Sequence, residues 1–290
     1  MRIVSLVPSA TEIIAALGLA DRLVGRSHEC TYPAGVQSAP VVSASRVDTT
    51  TIASAEIDAA VRAALADGRP LYAVDADLLE QLAPDVIVTQ DLCEVCAVSS
   101  GEVRRVASTG AETISLDPRD LREIEESIRT LARHLGVAGR GEELAQTMRH
   151  RLDGVHQAVR GLPRPRVFVA EWLDPPFAAG HWVPEMVELA GGEEVLGRTR
   201  ERSFETTWVA VAAAAPQLLV LAPCGFDVER TVADAGSVPA IGARVVAVDG
   251  DAAYSRPGPR VAEGVAQLAS LMHPGAVEPP DLGMRQLAPA

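Results

Sequence analysis

The sequence predicts an α/β fold of two Rossmann-like lobes, each with a parallel sheet, joined by a long rigid α-helix. Three observations carry this. Short Val- and Ile-rich runs alternate with helical patterns, the signature of parallel strands covered on both faces. The longest stretch without a strand pattern, residues 118–160, divides those runs into two sets. The two sets also echo each other. "TEIIAALG" and "PEMVELAGG" share Glu, two apolar residues and a terminal Gly, while "LAPDVIVTQDLC" and "AAPQLLVLAPC" share Pro, apolar run, loop and Cys.

Taken in order, "RIVSLV" is the first strand. Ser9 and Glu12 stand at the spacing of a capping box that opens the helix "ATEIIAALG", with Gly18 as its stop. "RLVGRS", "DVIVTQ" and "AETISL" are the remaining strands of the first half, and "DADLLEQLAP" is a helix between them. "PRDLREIEESIRTLARHLG" is an amphipathic helix, followed by a break at Gly136 to Gly141. "EELAQTMRHRLDGVHQAVRG" then forms a helix of about 20 residues, roughly 30 Å long, which "GLPRPR" ends. In the second half "RVFVAE", "QLLVLAP" and "RVVAVDG" are strands, and "TTWVAVAAAAP" and "PRVAEGVAQLASLMH" are helices. The tail "VEPPDLGMRQLAPA" is expected to be loosely ordered. The expected boundaries are an N-terminal lobe over 1–137, a connecting helix over 138–162 and a C-terminal lobe over 163–290.

The 290 residues carry a net charge of −13, and all 26 basic residues are arginine. An acidic chain without a basic face excludes a general nucleic-acid or anionic-membrane binder. We read the absence of lysine as genome composition bias. "MRIVSLVPSATEIIAALG" lacks the long apolar core and cleavage site of a signal peptide. No run approaches the ~18 apolar residues of a membrane span. A cytoplasmic location without membrane insertion is therefore expected. In a reducing compartment the four cysteines are expected to be thiols or metal ligands.

The unusual residues gather in loops that follow strands. His28, Glu29, Cys30 and Tyr32 follow "RLVGRS"; Gln90, Asp91, Cys93 and Cys96 follow "DVIVT". Glu171 and Trp172 follow "RVFVA", with His181 and Trp182 shortly after; Cys224 follows "QLLVLA"; Tyr254 and Arg256 follow "RVVAV". Open parallel sheets bind ligands at the carboxyl ends of their strands, so two such lobes facing each other place a ligand cleft between them. Taken singly, each residue has a structural explanation: a Cys as small filler, a His as a satisfied loop residue, a Trp as packing. As a set they point to a site. Cys, His and carboxylate suit zinc or an iron–sulfur cluster. Aromatic walls with a few polar groups suit a flat organic ligand. Walker, GxGxxG, HExxH and GxSxG patterns are absent, which argues against nucleotide, zinc-protease and serine-hydrolase chemistry.

"RIVSLVPSATEIIAALGLADRLVGRSHECTYP" resembles the opening of the class III periplasmic binding proteins, the substrate-binding proteins of ABC transporters for cobalamin and iron-siderophores. "LAPDVIVTQ", "SLDPRDLREIEESIRTLARHLG" and "YSRPGPRVAEGVAQLASLMHP" continue the likeness over nearly the whole chain. The resemblance implies two lobes, a rigid backbone helix, a cleft that clamps its ligand with little hinge motion, and delivery to an ABC transporter permease. It makes Tyr32 and Trp172 candidates for stacking on a corrin ring. "DLCEVC" and "HEC" are additions that the family's cobalamin carriers do not need for binding.

The expected function is binding of cobalamin or another metal-containing small ligand in a cleft rich in Cys, His and Glu. The ligand-binding candidates are Ser9, whose helix N-terminus offers backbone donors, Tyr32, Gln90, Asp91, Glu171, Trp172, Trp182, Tyr254 and Arg256. The metal candidates are His28, Glu29, Cys30, Cys93, Cys96, His181 and Cys224. The alternative on the same scaffold is a cytosolic enzyme or a zinc or iron–sulfur protein using the cleft thiols. A third reading is a structural or partner-binding protein with a vestigial cleft.

Overall fold

The computed structural model describes residues 1–91, 98, 101–103 and 110–287, so Cys93 and Cys96 lie outside the described residues. The chain forms two compact units. The first comprises residues 1–52, 56–118 and 126–145; the second comprises 53–55, 119–125 and 146–290.

The first unit holds a four-stranded sheet in the order β2-β1-β5-β6, from β1 (Ile3–Ser5), β2 (Leu23–Arg26), β5 (Val86–Thr89) and β6 (Glu112–Ser115). All its pairings are parallel, with Ile3 opposite Val86 and Ile87 opposite Thr113. Every residue of β1 and β5 is buried, which is why both read as unbroken apolar runs rather than alternating ones. A second, antiparallel pair, β3 (Ser43–Ser45) with β4 (Tyr72–Val74), carries too short a pattern to be legible in the sequence. Val4, Leu6, Val42, Leu71, Tyr72, Leu79 and Ile87 pack into one core.

Helix α1 (Pro8–Ala16) departs from the capping box. Val7 is its N-cap, without a side-chain hydrogen bond, and Pro8 is its first residue. Proline needs no hydrogen-bond partner there and its fixed φ suits the first turn, so the helix begins ahead of Ser9. Ser9 and Glu12 are both buried within it. Gly18 does end it, at φ +73°. Helix α2 (Ser54–Ala66) is missing from the sequence reading, and α3 (Ala76–Gln81) is capped by the Asp75 carboxylate, which accepts from the Leu78 N–H at 2.9 Å.

Helices α4 (Leu121–His134) and α5 (Ala138–Val159) follow. The buried face of α4 repeats at helical spacing through Leu121, Ile124, Ile128 and Leu131. The 22 residues of α5 span roughly 33 Å. The break between the two helices is shorter than expected, because Gly139 and Gly141 lie inside α5. At Gly141 the helices come close enough that an added Cβ would sit 2.2 Å from the Ala132 Cβ.

The second unit holds a seven-stranded sheet, and it corrects the expectation of a purely parallel one. Its centre is parallel: β7 (Arg166–Leu173), β11 (Leu218–Leu221) and β12 (Arg244–Val248), with β9 (Glu193–Glu194) beside the start of β7. Two strands run against it, β8 (Pro176–Ala178) and β13 (Met284–Gln286), and β10 (Phe204–Glu205) pairs antiparallel with β8 at the sheet edge. Strand β8 returns from β7 after only Asp174 and Pro175, and so short a connection permits only antiparallel pairing. Strand β13 corrects the loose tail. It pairs with β12, Arg285 reaches Glu229 at 3.2 Å, and the Leu287 N–H donates to the Val245 carbonyl. Its side chains are all exposed, so backbone bonding holds it and no apolar pattern announces it.

The remaining helices of this unit are α6 (Val183–Leu189), α7 (Trp208–Ala213), α8 (Val228–Asp234), α9 (Gly250–Ala253) and α10 (Val261–Met272). Thr207, Asp227 and Asp249 cap α7, α8 and α9 with their side chains. Among the described residues no helix is long and apolar enough to cross a membrane.

Candidate functional site

In the first unit the loop after β2 is built around one guanidinium. Arg26 donates to the carbonyls of Ser27, Cys30, Gln37 and Ala39 at 3.2 to 3.3 Å. Gln37 Nε2 adds a bond to the Thr31 carbonyl at 2.8 Å. This scaffold leaves Tyr32 45% exposed, the one exposed aromatic side chain among the described residues. Arg26 was missed in the sequence because a charged residue at a strand end carries no pattern.

Cys30 is fully buried, with its Sγ 2.9 Å from the Thr11 hydroxyl. Its surroundings are those of a core thiol, and a coordinated ion would have to displace that packing. His28 is half-buried, its Nδ1 3.0 Å from Ser43 Oγ and its ring 5.8 Å from that of Tyr72. Burial, aided by the charge of Arg26, lowers its pKa below the usual imidazole value. Glu29 is half-buried, its Oε1 3.9 Å from His28 Nε2. Gln90 is buried, and Asp91 is exposed with its N–H bonded to Asp117 Oδ1 at 2.5 Å.

In the second unit three ligand candidates are internal. Trp182 is buried and donates from Nε1 to the Tyr254 carbonyl at 2.8 Å. Tyr254 is buried and donates its hydroxyl to Gln267 Oε1 at 2.8 Å. Burial, with the charge of Asp249 nearby, raises its pKa far above the usual phenol range. Arg256 is buried and paired through both carboxylate oxygens of Asp251. These three brace the loop after β12, and the side-chain burial that decides this is invisible in loop sequence.

Trp172 stays half-exposed at the end of β7, its Nε1 bonded to the Ser54 carbonyl at 3.2 Å and its ring 5.2 Å from that of Phe226. Cys224 is half-buried, its N–H bonded to the Glu171 carbonyl at 3.1 Å. Glu171 Oε1 accepts from the Gly180 N–H at 3.1 Å. His181 follows directly, in left-handed backbone at φ +50°. Among the described residues no three His, Cys, Asp or Glu side chains gather around a point that could hold a metal ion. Cys30 and Cys224 belong to different units, so the described residues do not support the expected metal set.

Glu194 is a further carboxylate that the sequence did not single out. It accepts N–H bonds from Val169, Leu196 and Gly197 at 3.1 to 3.3 Å. Enclosure of the carboxylate, with the Glu171 charge nearby, pushes its pKa up to about 7. The folded form therefore holds this proton more tightly than the unfolded chain does. The contribution to stability is complete below about pH 4.5 and is lost as pH rises through 7. The melting-temperature advantage of Glu194→Gln over wild type is expected to grow between those values and then level off. A difference that is flat with pH would contradict the enclosed carboxylate.

Residues 3–235 match the family model described as periplasmic binding protein. Two relatives cover almost the whole chain. An ABC transporter substrate-binding lipoprotein of Bacillus subtilis (strain 168) is 24% identical over 94% of this chain and 80% of its own length. A vitamin B12-binding protein of Vibrio cholerae is 22% identical over 93% and 88%. Among solved structures, a periplasmic heme-binding protein from Pseudomonas aeruginosa superimposes with TM-score 0.70 at 22% identity, covering 98% of this chain and 97% of that one. The periplasmic vitamin B12-binding protein of Vibrio cholerae gives TM-score 0.66 at 22% identity, covering 93% and 95%. The two-lobe α/β architecture is thus shared with proteins named as periplasmic or lipid-anchored, which overturns the expected cytoplasmic location.

Proposed function

The chain belongs to the periplasmic binding protein family, and on that premise we propose that it captures a corrinoid of the cobalamin type and hands it to an ABC transporter permease. Solute binding follows from the family; the choice of a flat metal-containing macrocycle is the finer step. Its main support is Tyr32: the chain has only three Tyr, three Trp and four Phe, and this one is held out into solvent by the Arg26 scaffold. An aromatic face presented at the carboxyl end of a parallel strand is wasted on packing but well suited to lie against a planar ring. Trp172 offers a second, half-exposed aromatic face near the carboxyl end of β7 in the other unit. The relatives named for vitamin B12 and for heme both take ligands of that shape.

The test is fluorescence titration of wild type and Tyr32→Ala with cyanocobalamin. Loss of an exposed aromatic contact is expected to weaken binding by about tenfold, with the melting temperature little changed because the Tyr32 side chain is 45% exposed. Equal affinity in the two proteins would remove Tyr32 from the site.

A further inference from the structure

Three segments of the second unit meet at one place. The Arg200 side chain binds Glu123 at 2.8 Å and also pairs with Asp120, tying the 198–203 loop to the start of α4. The Leu121 N–H donates to Glu185 Oε2 at 3.0 Å, tying α4 to α6. The backbones of residues 180–181 and 200–201 are stitched by His181 N–H to the Glu201 carbonyl at 2.7 Å and by Arg200 N–H to the His181 carbonyl at 2.9 Å. At the junction sits His181, in a backbone conformation that few non-glycine residues adopt. Its Nε2 is buried and has no hydrogen-bond partner among the described residues. A buried polar atom without a partner calls for a physical reason.

The charges around it supply one. Burial, with the charges of Arg202 and Arg119, holds the pKa of the ring below the usual value. Neither guanidinium makes an ion pair among the described residues, and both residues are exposed. The other charges nearby are matched: Arg200 is taken by Asp120 and Glu123, and Glu201 by Arg198 at 3.2 Å. Glu185 is half-buried and accepts the Leu121 N–H, and its pKa is raised chiefly by burial. Two cations without an ion pair among the described residues, on the segments that meet at His181, stand out in a chain of net charge −13. Arginine forks suit the oxygens of phosphate and carboxylate, and a neutral imidazole can donate one N–H to the same group.

We propose that Arg119, His181 and Arg202 form an oxyanion-binding subsite for a phosphate or carboxylate group of the captured solute. The subsite adjoins the ligand-facing end of β7, because the Gly180 N–H is bonded to Glu171, the neighbour of Trp172. As a part of the solute's site it rests on the reading above; as an anion site it can be tested apart from it.

Inorganic phosphate is the first probe. Titration of wild type at constant ionic strength is expected to raise the melting temperature and shift the His181 imidazole signals in nitrogen–proton correlation spectra. Arg119→Gln with Arg202→Gln is expected to weaken that response tenfold or more. His181→Asn, which tolerates the left-handed backbone, is expected to weaken it without unfolding the protein. No phosphate response in wild type, or an equal response in the double variant, overturns the subsite. The macrocycles then identify the source of the anion. If it is the cobalamin phosphodiester, the double variant loses affinity for cyanocobalamin but not for dicyanocobinamide, which lacks that group. If it is a heme carboxylate, affinity falls for hemin but not for its dimethyl ester. Phosphate binding without uptake of either macrocycle would sink the macrocycle reading and leave the anion site standing. Uptake of both with no loss in the double variant would show that the solute does not use these arginines.

Discussion

Gly180→Ala is expected to cost about 3 kcal/mol or more of stability and to displace the 198–203 loop. The cause is backbone against backbone. A Cβ at position 180 would lie 2.3 Å from the Ser203 nitrogen, and 2.6 Å from both the Arg202 carbonyl carbon and the Glu201 carbonyl oxygen. No side-chain rotamer relieves such a contact, so one strand of the junction has to move. Its movement endangers the Gly180 bond to Glu171 and the His181 bond to Glu201. Gly154 is the comparison, since a Cβ there meets nothing within 4 Å inside α5. Gly154→Ala is expected to add roughly 0.5 to 1 kcal/mol through helix propensity. Urea denaturation of the two variants separates these outcomes. A Gly180→Ala midpoint equal to wild type would mean that the junction is looser than its contacts imply.

Phe168→Ala carries the other large expected effect. Phe168 lies in β7, fully buried, among Ala170, Leu173, Val211, Leu219 and Leu221, with the Trp208 ring edge-on at 6.4 Å. Removing the ring leaves a cavity that the rigid central strands cannot close, at a cost of about 3 to 5 kcal/mol. For a unit of this size that corresponds to a melting temperature roughly 10 °C lower. Val209, the next residue after Trp208 in the chain, is 80% exposed, and Val209→Ala is expected to stay within about 0.5 kcal/mol of wild type. Thermal melts compare the pair directly; similar losses in both would place the core elsewhere.

The sequence was most legible where burial is two-sided. Strands β1, β5, β7 and β11 are buried along most or all of their length, so their Val and Ile runs are the fold written plainly. Legibility failed where the backbone alone holds an element. Strand β13 exposes every side chain, β9 and β10 are two residues each, and α2 has an apolar pattern diluted by alanine. At the site, residue type and loop position were readable but side-chain direction was not. Trp182 and Tyr254 turn inward because they bond to each other across 72 positions, a separation no local pattern reports. Cys30, in the loop after β2, has a polar partner, Thr11, that lies in α1. Tyr32 and Trp172 kept their exposed faces, whereas Arg26, Glu194, Arg119 and Arg202 were passed over. Their importance lies in which charges and carbonyls surround them, and that is a property of the fold.

The most direct measurement is calorimetric titration of the purified full chain with cyanocobalamin, with hemin as the competing macrocycle. The account predicts saturable one-to-one uptake of the corrinoid, in preference to hemin, with the corrinoid recovered unchanged. Heat indistinguishable from dilution for both compounds, or chemical conversion of the corrinoid, would contradict it.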